Sequence, residues 1–189
     1  MGTIQKTLTP WTIVVVGLPG VGKSTLSKFL AERLNTTAVN SGELLRDHLL
    51  VSNISLDEET STGAVFIDTF GETIAGNVIA DGALDANASI VDGVRLFSTL
   101  NAFKIRSITP FVVFLTAEEK IRCDRFISRT NGEGIGDIRK IHSILNKKNA
   151  WNADLPRFES ISKWRFDNSG SIQDLNFFAD YMAESLRAD

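Results

Sequence analysis

Short apolar runs, rich in β-branched residues, alternate with longer amphipathic segments along the 189-residue chain. The apolar runs are bounded by turn residues, which is typical of strands buried on both faces of a sheet. The last run alternates apolar with polar residues, which is typical of a half-buried edge strand. We predict five strands, at residues 11–16, 37–40, 89–92, 111–115 and 163–167.

Six segments between and after these strands have helical character. In the third segment Ile67, Phe70, Ile74 and Val78 would lie on one face of a continuous helix. Strands that alternate with helices indicate a parallel sheet with helices on both faces. We therefore expect a three-layer α/β/α sandwich around a five-stranded parallel sheet, with helices at residues 24–34, 42–51, 59–81, 96–106, 118–130 and 171–186.

Composition narrows the class of protein. The length fits one domain, and a single Cys excludes an intramolecular disulfide framework and a Cys-rich zinc module. No apolar run approaches the roughly 18 residues of a membrane helix, and the N-terminus lacks the pattern of a secretory signal. We expect a cytoplasmic protein without a membrane partner.

The net charge of −3 conceals two opposed regions. Residues 43–92 carry a net charge of −9, whereas residues 120–148 carry +5. The overall balance argues against a general nucleic-acid-binding surface, so we expect no nucleic-acid partner. The positive charge is instead concentrated in one segment.

A phosphate-binding loop (P-loop) is the strongest motif in the chain. Residues 17–25 read GLPGVGKST, which satisfies G-x-x-x-x-G-K-[ST] between a predicted strand and a predicted helix. The glycines permit close approach of the backbone, whose N–H groups and helix N-terminus form a cradle for phosphate oxygens. The Lys reaches the β- and γ-phosphates, and the first hydroxyl can ligate Mg²⁺. The predicted nucleotide-binding residues of the loop are Gly17, Gly20, Val21, Gly22, Lys23, Ser24 and Thr25.

Other P-loop classes fit the chain less well. A GTPase requires Asn-Lys-x-Asp for guanine, and the nearest string, NKKN at residues 146–149, lacks the carboxylate. An AAA-type motor requires a longer chain. A small kinase remains.

Four further segments follow the P-loop in a recognisable order: NSGELLR at 40–46, VDGVR at 91–95, DRFISR at 124–129 and DNSGS at 167–171. With the P-loop, this order resembles the nucleoside monophosphate kinases, with adenylate kinase as the best-known member, and the related dephospho-CoA-kinase-like proteins. The resemblance spans residues 13–186. It implies a kinase that uses ATP and Mg²⁺.

The resemblance also implies individual roles. The acceptor phosphate would be held by Arg46 and Arg95, in a site that includes Ser41 and Gly42. Arg125 and Arg129 would reach the transferring phosphoryl group. The predicted catalytic residues are thus Lys23, Arg95, Arg125 and Arg129, the predicted metal ligands are Ser24 and Asp92, and Asn168 would lie near the donor base.

Physical arguments from the residues support two of these roles. Asp92 ends an apolar strand, which is a costly place for a carboxylate unless a cation meets it. Arg122, Arg125 and Arg129 are spaced to line one helix face, although such a stripe also occurs on solvated helices. This stripe runs into the glycine-rich segment 131–136, which would suit a flap that brings guanidinium groups to the phosphoryl group. Arg139 is a candidate for the far side of that flap.

The chain departs from the family pattern in the acceptor segment and the lid. Glu43 stands where the family has Asp, Asn40 replaces a less bulky residue, and no Pro precedes Arg95. We expect a single domain with a core at about 11–119 and 150–189, an acceptor-binding insert at about 41–82 and a short lid at about 122–142.

Three functional hypotheses follow. The first is transfer of the ATP γ-phosphoryl group to a small-molecule phosphate acceptor, a (deoxy)nucleoside monophosphate. The second is a hydroxyl acceptor, such as dephospho-CoA or a sugar acid, for which Glu43 and Asp47 are the nearby candidate bases. The third is a nucleotide-dependent regulatory or assembly ATPase without an acceptor. Each is compatible with a monomer or a homodimer.

Overall fold

The protein is built on a parallel sheet of five strands. A computed structural model describes residues 10–54, 62–129 and 153–188. The strands lie in the order β2-β3-β1-β4-β5, and every neighbouring pair is parallel. Their bounds are β1 Trp11–Val16, β2 Thr37–Asn40, β3 Ala88–Asp92, β4 Thr109–Thr116 and β5 Trp164–Asp167.

Two apolar cores cover the two faces of the sheet. Val14 and Val16 of β1 belong to one core, whereas Ile13 and Val15 belong to the other, because successive strand residues point to opposite faces. The predicted three-layer sandwich is confirmed. The helices within the described residues are α1 Lys23–Leu34, α2 Ser41–Val51, α3 Thr62–Phe70, α4 Glu72–Asp85, α5 Ser98–Ile105, α6 Glu119–Arg129, α7 Leu155–Ile161 and α8 Ile172–Ala188.

The continuous helix predicted over 59–81 was wrong. Within the described residues this segment contains two helices, α3 and α4, which meet at Gly71. Gly71 has φ 85° and ψ 163°, a backbone conformation open essentially to glycine alone. The helical spacing of apolar residues continues across the break, so the pattern alone did not reveal it. The short helix α7 was not predicted either.

The strand order determines where ligands can bind. β1 and β3 are neighbours although β2 lies between them in sequence, and Val15 pairs with Asp92. The chain therefore reverses its direction of winding at β1, and open sheets bind ligands at the carboxyl ends of such strands. Among the helices that the structure describes, none has the length and apolar character needed to cross a membrane.

Candidate active site

The P-loop leaves β1 and enters α1, which is the setting that the motif requires for a phosphate cradle. Gly22 has φ 94° and precedes α1, and no side chain caps this helix end. The first N–H groups of α1 thus remain available to an anion. A side chain is excluded at Gly17, because a Cβ there would clash with the carbonyl oxygen of Leu115.

The Lys23 side chain folds back over the P-loop. Its Nζ donates a hydrogen bond to the carbonyl oxygen of Leu18 at 3.1 Å, and the side chain lines the adjoining cavity. The ammonium group is therefore held over the P-loop, within the region that phosphate oxygens would occupy.

Ser24 and Asp92 form a pair suited to a divalent cation. Ser24 Oγ donates to Asp92 Oδ2 at 2.6 Å, so the structure brings the two predicted metal ligands together. Asp92 is only 4% exposed, and its Oδ1 is buried without a hydrogen-bond partner. Such an uncompensated carboxylate oxygen is costly unless a cation neutralises it, which fits Mg²⁺.

The described residues contain no group of three or more His, Cys, Asp or Glu side chains that could hold a metal. A cation at Ser24 and Asp92 would need further oxygen ligands. Mg²⁺ in phosphate-binding sites is held in this way, by one or two protein oxygens together with substrate phosphates and water.

A cavity of about 340 Å³ opens beside the P-loop. It is lined by several predicted site residues from three segments of the chain: Lys23, Ser24, Ser41, Gly42, Asp92 and Arg95. Asp92 is the carboxylate among the described residues that line it, and Lys23 and Arg95 are the described cations. The described residues that line the cavity therefore carry a net positive charge.

Arg95 enters the cavity from the segment after β3. Within the described part of the chain, its guanidinium makes no hydrogen bond or ion pair. Burial lowers the pKa of this guanidinium, because desolvation disfavours its charged form. A partly buried cation of this kind favours an anionic ligand.

The segment 40–46, which was predicted to bind the acceptor, lies only partly at the cavity. The Asn40 side chain accepts hydrogen bonds from the N–H groups of Gly42 and Glu43, so this departure from the family pattern serves to cap α2. Arg46 is exposed and does not line the cavity; its Nη2 donates to Thr62 Oγ1 at 3.5 Å. Thr62 itself lines the cavity.

A second groove also borders the P-loop. Gly22, Thr25, Arg125 and Asn168 line it together. Arg125 donates from Nη2 to the carbonyl oxygen of Asn168 at 2.8 Å and from Nη1 to that of Gly20 at 3.4 Å. The structure thus joins α6, the P-loop and the segment after β5, where the donor base was expected.

The Asn168 side chain connects the same elements. Its Nδ2 donates to the carbonyl oxygen of Val21 at 2.9 Å, and the side chain is buried. Arg122 is buried as well and contacts the carbonyl oxygen of Pro19. Arg129 ends α6, whereas Arg139 and the glycine-rich segment 131–136 lie outside the described residues.

Several cavity residues were not identified from the sequence. No single motif contains them, although Leu45 and Phe126 lie within quoted segments. They come from the middle of α2, α4 and α6, the start of α3 and the segment after β3: Leu45, Thr62, Gly63, Ile79, Leu96 and Phe126. Only their arrangement in three dimensions brings them to the P-loop.

Comparison with known proteins assigns the family. Residues 13–144 match a protein family described as an AAA domain. The chain belongs to this family. Length was our argument against an AAA-type motor, and the match shows that a chain of this length does carry an AAA-family domain.

Individual relatives confirm the resemblance to P-loop kinase-like proteins of the nucleoside monophosphate kinase type. A UPF0200 protein of Aeropyrum pernix is 23% identical over 172 residues, which cover 88% of this chain and 89% of that protein. A Thermococcus kodakarensis protein named "Putative adenylate kinase" is 43% identical over 77 residues, 38% of this chain and 41% of that protein. The shikimate kinase structure from Bacteroides thetaiotaomicron has a TM-score of 0.61 at 17% identity, covering 94% of this chain and 98% of that chain. At this identity the structural likeness establishes the fold alone.

Proposed function

We propose that the protein is a Mg²⁺-dependent kinase that transfers the γ-phosphoryl group of ATP to the phosphate of a (deoxy)nucleoside monophosphate. The observation that carries the proposal is the cavity in which Arg95 faces the P-loop residues Lys23 and Ser24. Donor phosphates on the P-loop and an acceptor phosphate at Arg95 would then share one space. The relative named as an adenylate kinase supports the same class.

The charges of the site fit direct transfer between two phosphates. The P-loop N–H groups and Lys23 would bind the donor phosphates, and Arg95 would neutralise the acceptor phosphate. Mg²⁺, held by Ser24 and Asp92 together with phosphate oxygens, would reduce the charge repulsion between donor and acceptor. The acceptor oxygen would attack the γ-phosphorus in line, so that its new P–O bond replaces the bond to the leaving ADP oxygen.

Among the described residues that line the cavity, no side chain is suited to act as a general base, which supports a phosphate acceptor over a hydroxyl acceptor. A phosphate oxygen is already anionic, whereas a hydroxyl acceptor must lose a proton. Glu43 and Asp47 are exposed and do not line the cavity. Asp92, which does, is hydrogen-bonded to Ser24 in the proposed metal site.

A panel of acceptors tests the proposal. The protein is incubated with ATP and Mg²⁺ together with (deoxy)nucleoside monophosphates, dephospho-CoA or gluconate, and release of ADP is followed. We expect at least one nucleoside monophosphate to raise ADP release above the rate with water alone. A response to dephospho-CoA or gluconate alone would favour a kinase with a hydroxyl acceptor. No response to any acceptor would contradict both kinase hypotheses and favour an ATPase without an acceptor.

A further inference from the structure

The segment 93–97 determines where Arg95 lies. It connects β3 to α5, and the Arg95 guanidinium itself has no hydrogen bond to a described residue that could fix it. The segment begins at Gly93, whose N–H donates to the carbonyl oxygen of Val15 at 3.1 Å. Val94 and Leu96, which flank Arg95, are buried. The position of Arg95 thus depends on how both ends of this segment are held.

Asp154 holds the far end. The N–H of Phe97 donates to Asp154 Oδ2 at 2.8 Å, across 57 positions of sequence. Phe97 precedes α5 and its own side chain provides no cap, and Asp154 precedes α7 without capping that helix. The Asp154 carboxylate therefore supplies the N-terminal cap of α5 from another element, where the helix dipole favours a negative charge.

Two further residues of α7 fix the Phe97 ring. The Arg157 guanidinium lies 3.4 Å from the ring centroid, in cation–π geometry, and the ring of the fully buried Phe158 lies 5.4 Å away. Phe97 is consequently held at its ring by α7 and at its backbone by Asp154, the residue that precedes α7. Asp154, Arg157 and Phe158 are called the α7 clamp below.

We propose that Asp154 is a positioning residue for phosphoryl transfer, which acts through Phe97 to hold Arg95 in the cavity. This inference rests on the proposed function. An arginine that is already in place avoids an ordering cost at each turnover, and small displacements of such groups strongly slow transfer. Loosening the α7 clamp should thus impair use of the acceptor while leaving ATP binding intact.

The test compares Asp154→Ala with Asp154→Asn, since Asn retains an oxygen that can accept from the Phe97 N–H. We expect Asp154→Ala to lower kcat/KM for the acceptor by about tenfold or more with KM for ATP unchanged, and Asp154→Asn to recover most of the loss. Hydrogen exchange should become faster in residues 93–97 of the Ala variant but not in the P-loop. Asp180→Ala is the matched control, because it removes the carboxylate on α8 that pairs with Arg33 of α1, and neither residue lines the cavity.

Each outcome decides a separate point. In Asp154→Ala, the positioning role is overturned if exchange in residues 93–97 becomes faster while the acceptor kinetics stay unchanged. It is also overturned if the kinetics are impaired equally for ATP and for the acceptor. If Asp154→Ala does not fold, Arg157→Leu loosens the same clamp from an exposed position, and unchanged acceptor kinetics there would overturn it too. No acceptor-dependent transfer in the wild type would instead overturn the proposed function, and this role with it.

Discussion

Arg95 combines partial burial with the lack of any hydrogen bond to the described residues. Such a group contributes little to folding, since a desolvated cation without a partner is unfavourable. Its value would lie in binding an anion, so stability and activity should respond oppositely to its loss.

We therefore predict that Arg95→Met leaves the free energy of unfolding unchanged within about 0.5 kcal/mol, or raises it. Met preserves much of the aliphatic stem. kcat/KM for the acceptor should fall at least about tenfold, because a charged hydrogen bond contributes about 1.5–3 kcal/mol, while ATP affinity is retained. Urea denaturation and initial rates measure the two effects. The matched control Arg106→Met removes an ion pair to Asp81 and should lower stability without affecting transfer. If Arg95→Met instead lowers the affinity for ATP, Arg95 belongs to the donor site.

Asp92 offers a second test at the level of single residues. Asp92→Asn keeps an oxygen that can accept from Ser24 Oγ but removes the negative charge that a cation requires. We predict that the Mg²⁺ concentration for half-maximal activity rises about tenfold or more, as the loss of one charged ligand interaction implies. Titration of Mg²⁺ at fixed ATP measures this, and an unchanged midpoint would contradict the proposed metal site.

Among the elements, the junction of α3 and α4 shows where sequence patterns lose information. Ile67 and Phe70 precede the break and Ile74 and Val78 follow it, so the apolar spacing predicts one helix. A glycine within such a pattern does not by itself end a helix. The backbone conformation at Gly71 separates α3 from α4, and the spacing of apolar residues does not encode it.

Gly71→Ala should therefore destabilise the protein through its backbone alone. A Cβ there would meet no atom within 4 Å, so steric contact makes no contribution. The positive φ should cost about 1–3 kcal/mol in the free energy of unfolding. Urea denaturation measures this against Asp68→Ala, an exposed change on α3 that should stay within about 0.5 kcal/mol. Equal stability of the two variants would contradict the assigned conformation.

At the scale of the whole molecule, alternating strands and helices were sufficient to predict the sandwich. The P-loop could also be predicted, because its chemistry is contained in nine consecutive residues. The proximity of Ser24 and Asp92 could be predicted because the carboxyl ends of parallel strands meet at one edge of a sheet. The contact between Phe97 and Asp154 could not be predicted, because the two residues are 57 positions apart and no local sequence pattern indicates their contact.

Ligand binding should stabilise the whole fold. At a concentration of ATP–Mg²⁺ one hundred times its Kd, binding adds about 2.7 kcal/mol to stability, which corresponds to a Tm rise of about 5–10 °C for a domain of this size. Lys23→Gln should lose most of this rise while remaining folded without nucleotide. Thermal denaturation with and without ATP–Mg²⁺ measures the Tm of the free variant and its rise on binding. An equal rise in Tm for the variant and the wild type would contradict the role of Lys23 in the donor site.

The identity of the phosphorylated product tests the central claim most directly. After incubation with ATP, Mg²⁺ and a nucleoside monophosphate that raises ADP release, ³¹P NMR distinguishes a new phosphoanhydride from a phosphate ester and from inorganic phosphate. We predict the signals of a nucleoside diphosphate formed from the acceptor, in an amount equal to the ADP released. Inorganic phosphate alone, with the monophosphate unchanged, would contradict the account.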